Sequence, residues 1–64
     1  MNTKLLKLPE VIRLTALSRS SIYAYSSIGE FPKPIPTGKR AVAWLESEIH
    51  NWIDAKAKQR GDMR

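Results

Sequence analysis

The sequence predicts a mainly α-helical fold with one small β-hairpin: three helices plus a two-stranded wing. Three observations carry this. Two short helical segments are separated only by Ala16-Leu17-Ser18. A stretch in which Pro32, Pro34 and Pro36 alternate with other residues is followed, after Gly38, by the β-prone run Ala41-Val42-Ala43-Trp44. Last, Leu45, Ile49, Trp52 and Ile53 recur at helical spacing. A length of 64 residues holds one domain, expected to occupy 1–64, and so small a domain must keep its core compact.

The first helix is expected over about residues 9–16. Pro9 suits the first helical position, where a missing N–H is no loss, and Glu10 favours the positive helix N-terminus. Val11 and Leu14 lie three apart with Ile12 beside them, which makes one face apolar. Residues Lys4 to Leu8 read either as a short strand or as a lead-in to this helix. Ser18 opens the second helix, because its hydroxyl can accept from the backbone N–H of Ser20 or Ser21. Gly29 supplies a left-handed stop, so this helix is expected over about 19–28. Val11, Leu17, Ile22 and Tyr25 are the residues expected between the pair. Two short helices joined by a tight turn form a helix-turn-helix.

The wing is expected over about 33–45. Prolines at every second position exclude a helix, and in a strand their missing donors fall on one edge. Lys33, Ile35 and Thr37 then pair along the other edge. Gly38-Lys39 turns the chain, Ala41 to Trp44 return it, and Lys39 and Arg40 sit near the tip. The closing helix is expected over about 46–60, with Glu46 and Glu48 near its start and Lys56, Lys58 and Arg60 near its end, matching the helix dipole at both poles. With a wing after the helix pair, the class is a winged helix-turn-helix. Trp44 and Trp52 are assigned to the core, where two indoles supply much of the buried area.

Charge narrows the function. The net charge is +5 and is unevenly spread. Lys4, Lys7, Arg13 and Arg19 against Glu10 leave residues 1–29 at +3; Lys33, Lys39 and Arg40 against Glu30 leave 30–45 at +2; the remainder balances to zero. A polyanion partner fits that distribution. Enzymatic readings find little support. His50 is the only histidine and there is no cysteine, so neither metal nor cofactor is expected. Glu46 and Glu48 lie two apart on a helix and do not face each other, and no serine has a neighbouring base to activate it. The longest apolar run near the N-terminus is Leu5-Leu6, far short of a signal core or a spanning helix. The chain is therefore expected to be cytoplasmic and independent of membranes.

A helix-turn-helix places the start of its second helix in the major groove of double-stranded DNA. With Ile22 and Tyr25 inward, the outward face presents Arg19, Ser20, Tyr23, Ala24 and Ser27. Arg19 alone can make a bidentate contact to guanine O6 and N7. Ser20, Ser21 and Ser27 can bond phosphates or base edges, capping and solvation being their structural alternatives. Tyr23 can reach a phosphate through its hydroxyl or pack against the wing. Lys39 and Arg40 can reach phosphates or an adjacent minor groove, and Lys33 is a lesser candidate.

These residues, in order, also carry a family likeness. From Leu8-Pro9-Glu10-Val11 through Leu17-Ser18-Arg19-Ser20-Ser21-Ile22-Tyr23, Gly29-Glu30-Phe31-Pro32-Lys33-Pro34, Gly38-Lys39-Arg40-Ala41-Val42-Ala43-Trp44 and Trp52-Ile53, the chain resembles the AlpA family of small prophage regulators, within the MerR-like winged helices and excisionases. The resemblance implies a winged helix-turn-helix that binds DNA to regulate a prophage or other mobile element, either through RNA polymerase at a promoter or as an excisionase-like factor that bends attachment-site DNA and contacts an integrase. It matches Arg19, Ser20, Ser21 and Tyr23 to the recognition helix and Lys39 and Arg40 to the wing. One departure stands out. The family often has a basic residue just after the tyrosine and another just before the glycine, where this chain has Ala24 and Ser26-Ser27-Ile28. Fewer cations release fewer counterions, so the wing and Arg13, or cooperative self-association on DNA, must supply the difference. A basic module that meets an acidic protein is the reading from a different class.

Overall fold

The computed structural model describes residues 4–60. At its start the chain forms β1 (Leu5–Leu6), and Lys7 then caps α1 (Leu8–Thr15). The Glu10 carboxylate accepts from the Lys7 N–H at 3.3 Å, which anchors that first turn. Because Leu8 is already helical, Pro9 occupies the second helical position instead of the first. It remains within the turn whose N–H groups have no intrahelical partner.

The turn after α1 is held by three contacts. The Ala16 N–H donates to the Ile12 carbonyl at 2.8 Å. Thr15 Oγ1 donates back to the Val11 carbonyl at 2.8 Å and accepts from the Leu17 N–H at 3.3 Å. Ala16 itself is left-handed, φ 61°, the one non-glycine residue with positive φ among those described. A side chain in that region costs roughly 1–2 kcal/mol, so the hydrogen bonds around the turn must hold it there.

Ser18 then caps α2 (Arg19–Ser27), accepting from the Ser21 N–H at 3.1 Å. At the other end Gly29, φ 81°, closes α2 with a Schellman pair. The Glu30 N–H reaches the Tyr25 carbonyl and the Gly29 N–H the Ser26 carbonyl.

The sheet is antiparallel, with β3 (Val42–Leu45) between β1 and β2 (Ile35–Pro36). Leu5 and Leu6 pair with Leu45 and Trp44, while Ile35 and Pro36 pair with Ala43 and Val42. The open question over Lys4 to Leu8 is thus settled as a strand, and the hairpin gains a third member. Proline-bearing β2 is an edge strand, where a missing donor is tolerated. Beyond Pro36 the Thr37 N–H resumes the ladder, donating to the Ala41 carbonyl at 2.9 Å. Lys33 lies before β2 and does not pair in it. The last element, α3 (Glu46–Gln59), begins directly where β3 ends, with Leu45 as its N-cap. Three helices and a small antiparallel sheet in this order make a winged helix-turn-helix architecture.

Leu6, Val11, Ile22, Phe31, Trp44 and Ile49 form the core, with Leu8, Ile12, Leu17, Val42, Trp52 and Ile53 packed around it. Two expected core positions are corrected. Tyr25 is 38% exposed, and Ser26, at 4%, takes its place beside Ile22. Four-residue spacing from Ile22 meets the core where three-residue spacing does not, and the Ser26 hydroxyl is satisfied by the Pro32 carbonyl at 3.0 Å. Likewise Leu14 is 46% exposed, and the inward face of α1 is Val11 with Ile12 and Thr15. Trp44 is fully buried, whereas Trp52 is half-buried.

Candidate nucleic-acid interface

The second helix and the wing meet around a groove of about 560 Å³. Arg19 and Tyr23 reach it from α2, Arg40 from the β2–β3 turn, and Lys7 from the start of α1. Leu5, Leu8 and Val42 are among the apolar residues of its floor. None of the described residues lining it is a carboxylate, and three cations, Lys7, Arg19 and Arg40, act on one opening. Such a site attracts anions.

The helix contributes its side chains through simple geometry. Arg19 and Tyr23 are four residues apart on α2 and therefore adjacent on its surface, with the Arg19 Cζ 5.9 Å from the Tyr23 ring centroid. The Tyr23 ring also meets the Trp44 indole edge-on, centroids 6.1 Å apart at 60°. Tyr23 is 38% exposed, so it both packs on the wing strand and faces the groove.

The serines divide. Ser20 is exposed. Ser21 is engaged at the helix start, where its N–H donates to Ser18 Oγ and its own Oγ accepts from the Ser18 hydroxyl at 3.0 Å. Ser27 is exposed, with its hydroxyl turned back onto the Ala24 carbonyl at 2.8 Å. Together Ser20, Ala24 and Ser27 make the outermost strip of α2 small, which lets the helix backbone approach a partner closely.

Lys39 is exposed in the turn but does not line the groove, whereas Arg40 does. Lys33 faces another way: its Nζ donates to the Ser26 carbonyl at 2.9 Å, satisfying the C-terminal end of α2. Lys7, counted in the sequence only for its charge, is brought to the groove by the β1–α1 junction. Its signal was the pairing of β1 with the wing, which the two-residue strand was too short to reveal. Among the described residues no cluster of His, Cys, Asp and Glu is arranged to hold a metal ion, and no helix is long and apolar enough to cross a membrane.

Comparison with known proteins gives consistent results. The family model described as prophage CP4-57 regulatory protein (AlpA) matches residues 4–57. A protein of Enterobacteria phage P4, described as uncharacterized protein ORF88, is 42% identical over 57 residues, 89% of this chain. The chain spans 65% of the length of that relative. The DNA-binding transcriptional activator AlpA of Escherichia coli (strain K12) is 33% identical over 61 residues, 86% of this chain and 87% of that protein.

Proposed function

This chain belongs to the AlpA family of prophage regulatory proteins, and from that premise we propose that it is a DNA-binding transcriptional regulator of a prophage or other mobile element. The observation that carries the reading is the convergence of Arg19, Tyr23, Arg40 and Lys7 on one groove without a carboxylate. The naming of the K12 relative as a DNA-binding activator points the same way.

In this reading α2 enters the major groove of double-stranded DNA. Its small outer strip, Ser20, Ala24 and Ser27, lies against the base edges, and Arg19 reads a guanine from the flank. Ser21 keeps the helix start in place. Arg40 and Lys7 hold the sugar-phosphate backbone beside the helix, and Lys39 extends the contact toward the adjacent minor groove. One module of this size buries only about 600–1,000 Å² on DNA, so copies side by side supply the remaining affinity. At a promoter such a complex recruits or blocks RNA polymerase.

The test is footprinting of the intergenic DNA around the gene at low and at physiological salt. A discrete protected site that weakens steeply with salt is expected. No protection even at low salt would overturn the reading and favour an acidic protein as the partner. Anomalous mobility of circularly permuted fragments would assign the bound site to a bending, integrase-linked role instead of promoter control.

A further inference from the structure

We infer that Tyr23 is a positioning residue, its ring holding the Arg19 guanidinium at the groove so that the protein core presets the cation that reads the base. This rests on the DNA-binding reading above and deepens it. Trp44 is the fixed point. Its indole is completely buried, and its Nε1–H donates to the Pro32 carbonyl at 2.9 Å. The same carbonyl accepts the Ser26 hydroxyl from α2 at 3.0 Å. The indole therefore cannot rotate without breaking a part-buried hydrogen bond, and Ser26 ties α2 to the same point.

Tyr23 packs on that fixed indole in an edge-on geometry, which is a favoured aromatic arrangement. Arg19 lies over the same ring, its Cζ 5.9 Å from the centroid. None of the ion pairs among the described residues involves Arg19, so the ring is the contact that orients it. An arginine loses much rotamer freedom when it binds, and a side chain already held near its bound direction loses less. The chain Trp44–Tyr23–Arg19 thus runs from the centre of the core to the groove. It uses the ring of Tyr23 and not its hydroxyl.

That distinction makes the inference testable. In the DNA-free protein, relaxation of the Arg19 Nε–Hε group and the ring-current shift of its δ protons report whether the guanidinium is held. Tyr23→Phe should leave both unchanged. Tyr23→Leu should mobilise Arg19 and abolish the shift, with thermal unfolding followed to confirm that the fold persists. On the footprinted site, Tyr23→Leu should lower selectivity about 2- to 5-fold at the base pair that Arg19→Ala relaxes, and add nothing in the Arg19→Ala background. Tyr23→Phe should keep it.

Equal Arg19 mobility in the wild type and Tyr23→Leu would overturn the inference. So would a Tyr23→Phe variant that weakens binding on every sequence as much as Tyr23→Leu, since the hydroxyl would then be a phosphate contact. Failure of the DNA reading is separate: no site would be protected, while the Arg19 relaxation would still show whether the ring holds it.

Discussion

Across the groove between α2 and the wing, Arg19, Arg40 and Lys7 face solvent with no carboxylate among them. Across α3 the same kinds of side chain are balanced. Glu46 lies 4.0 Å from both Lys4 and His50, and Glu48 and Asp54 share the helix with Lys56 and Lys58. The two tryptophans repeat this contrast. Both donate to the segment between α2 and β2, Trp44 to the Pro32 carbonyl and Trp52 to the Glu30 carbonyl, each at 2.9 Å. Trp44 goes on to touch Tyr23 and so reaches the groove, whereas Trp52 meets Phe31 edge-on at 4.9 Å and ends in the α3 side. Both regions use similar residues. What separates them is whether carboxylates stand among the cations.

Removal of each indole should distinguish the two sides most strongly. Trp44→Ala should cost about 3–5 kcal/mol, which rivals the entire stability of so small a domain, and thermal unfolding should find little native protein at room temperature. Trp52→Ala, at a half-buried position, should lose less and keep a cooperative transition. Equal losses would mean that the two sides of the core are not ranked as their burial implies.

On the groove side, Arg19→Ala should cost about 1–3 kcal/mol on the specific DNA site and relax preference at one position. Its unfolding midpoint should shift little, as expected for an exposed residue away from the core. Competition binding against single-base variants of the site measures both affinity and preference. Ser18→Ala should cost about 1 kcal/mol of stability through loss of the α2 cap, seen in urea unfolding, and should loosen the turn that carries Arg19. The smallest effect is expected at the turn. Ala16→Gly relieves a left-handed alanine at the cost of a freer unfolded chain, a net gain of about 0.5 kcal/mol with an unchanged denaturant slope.

The elements with strong local chemistry were legible in the sequence. Ser18 and Gly29 bracket α2 because a hydroxyl cap and a left-handed glycine act within a few residues. The proline alternation before the Gly38 turn marked an edge strand for the same reason. What escaped depended on distant partners. Tyr25 and Ser26 lie three and four residues from Ile22, and a serine on the inward side is accommodated only because the Pro32 carbonyl satisfies its hydroxyl. Lys33 looked like any basic wing residue until the end of α2 arrived beside it. In the site, the exposure of Arg19, Ser20 and Ser27 follows from the helix wheel. The presence of Lys7 depends on β1 pairing with β3, a contact some forty residues away in sequence.

The most direct measurement is the salt dependence of duplex DNA binding for the wild type, Arg40→Ala and Lys58→Ala. Arg40 lines the groove and Lys58 is exposed on α3. Arg40→Ala should weaken binding to all sequences and reduce the slope of log K against log salt by about 1, while Lys58→Ala should follow the wild type. A slope reduced by Lys58→Ala and untouched by Arg40→Ala would place the DNA on the α3 side and contradict the assignment of the groove.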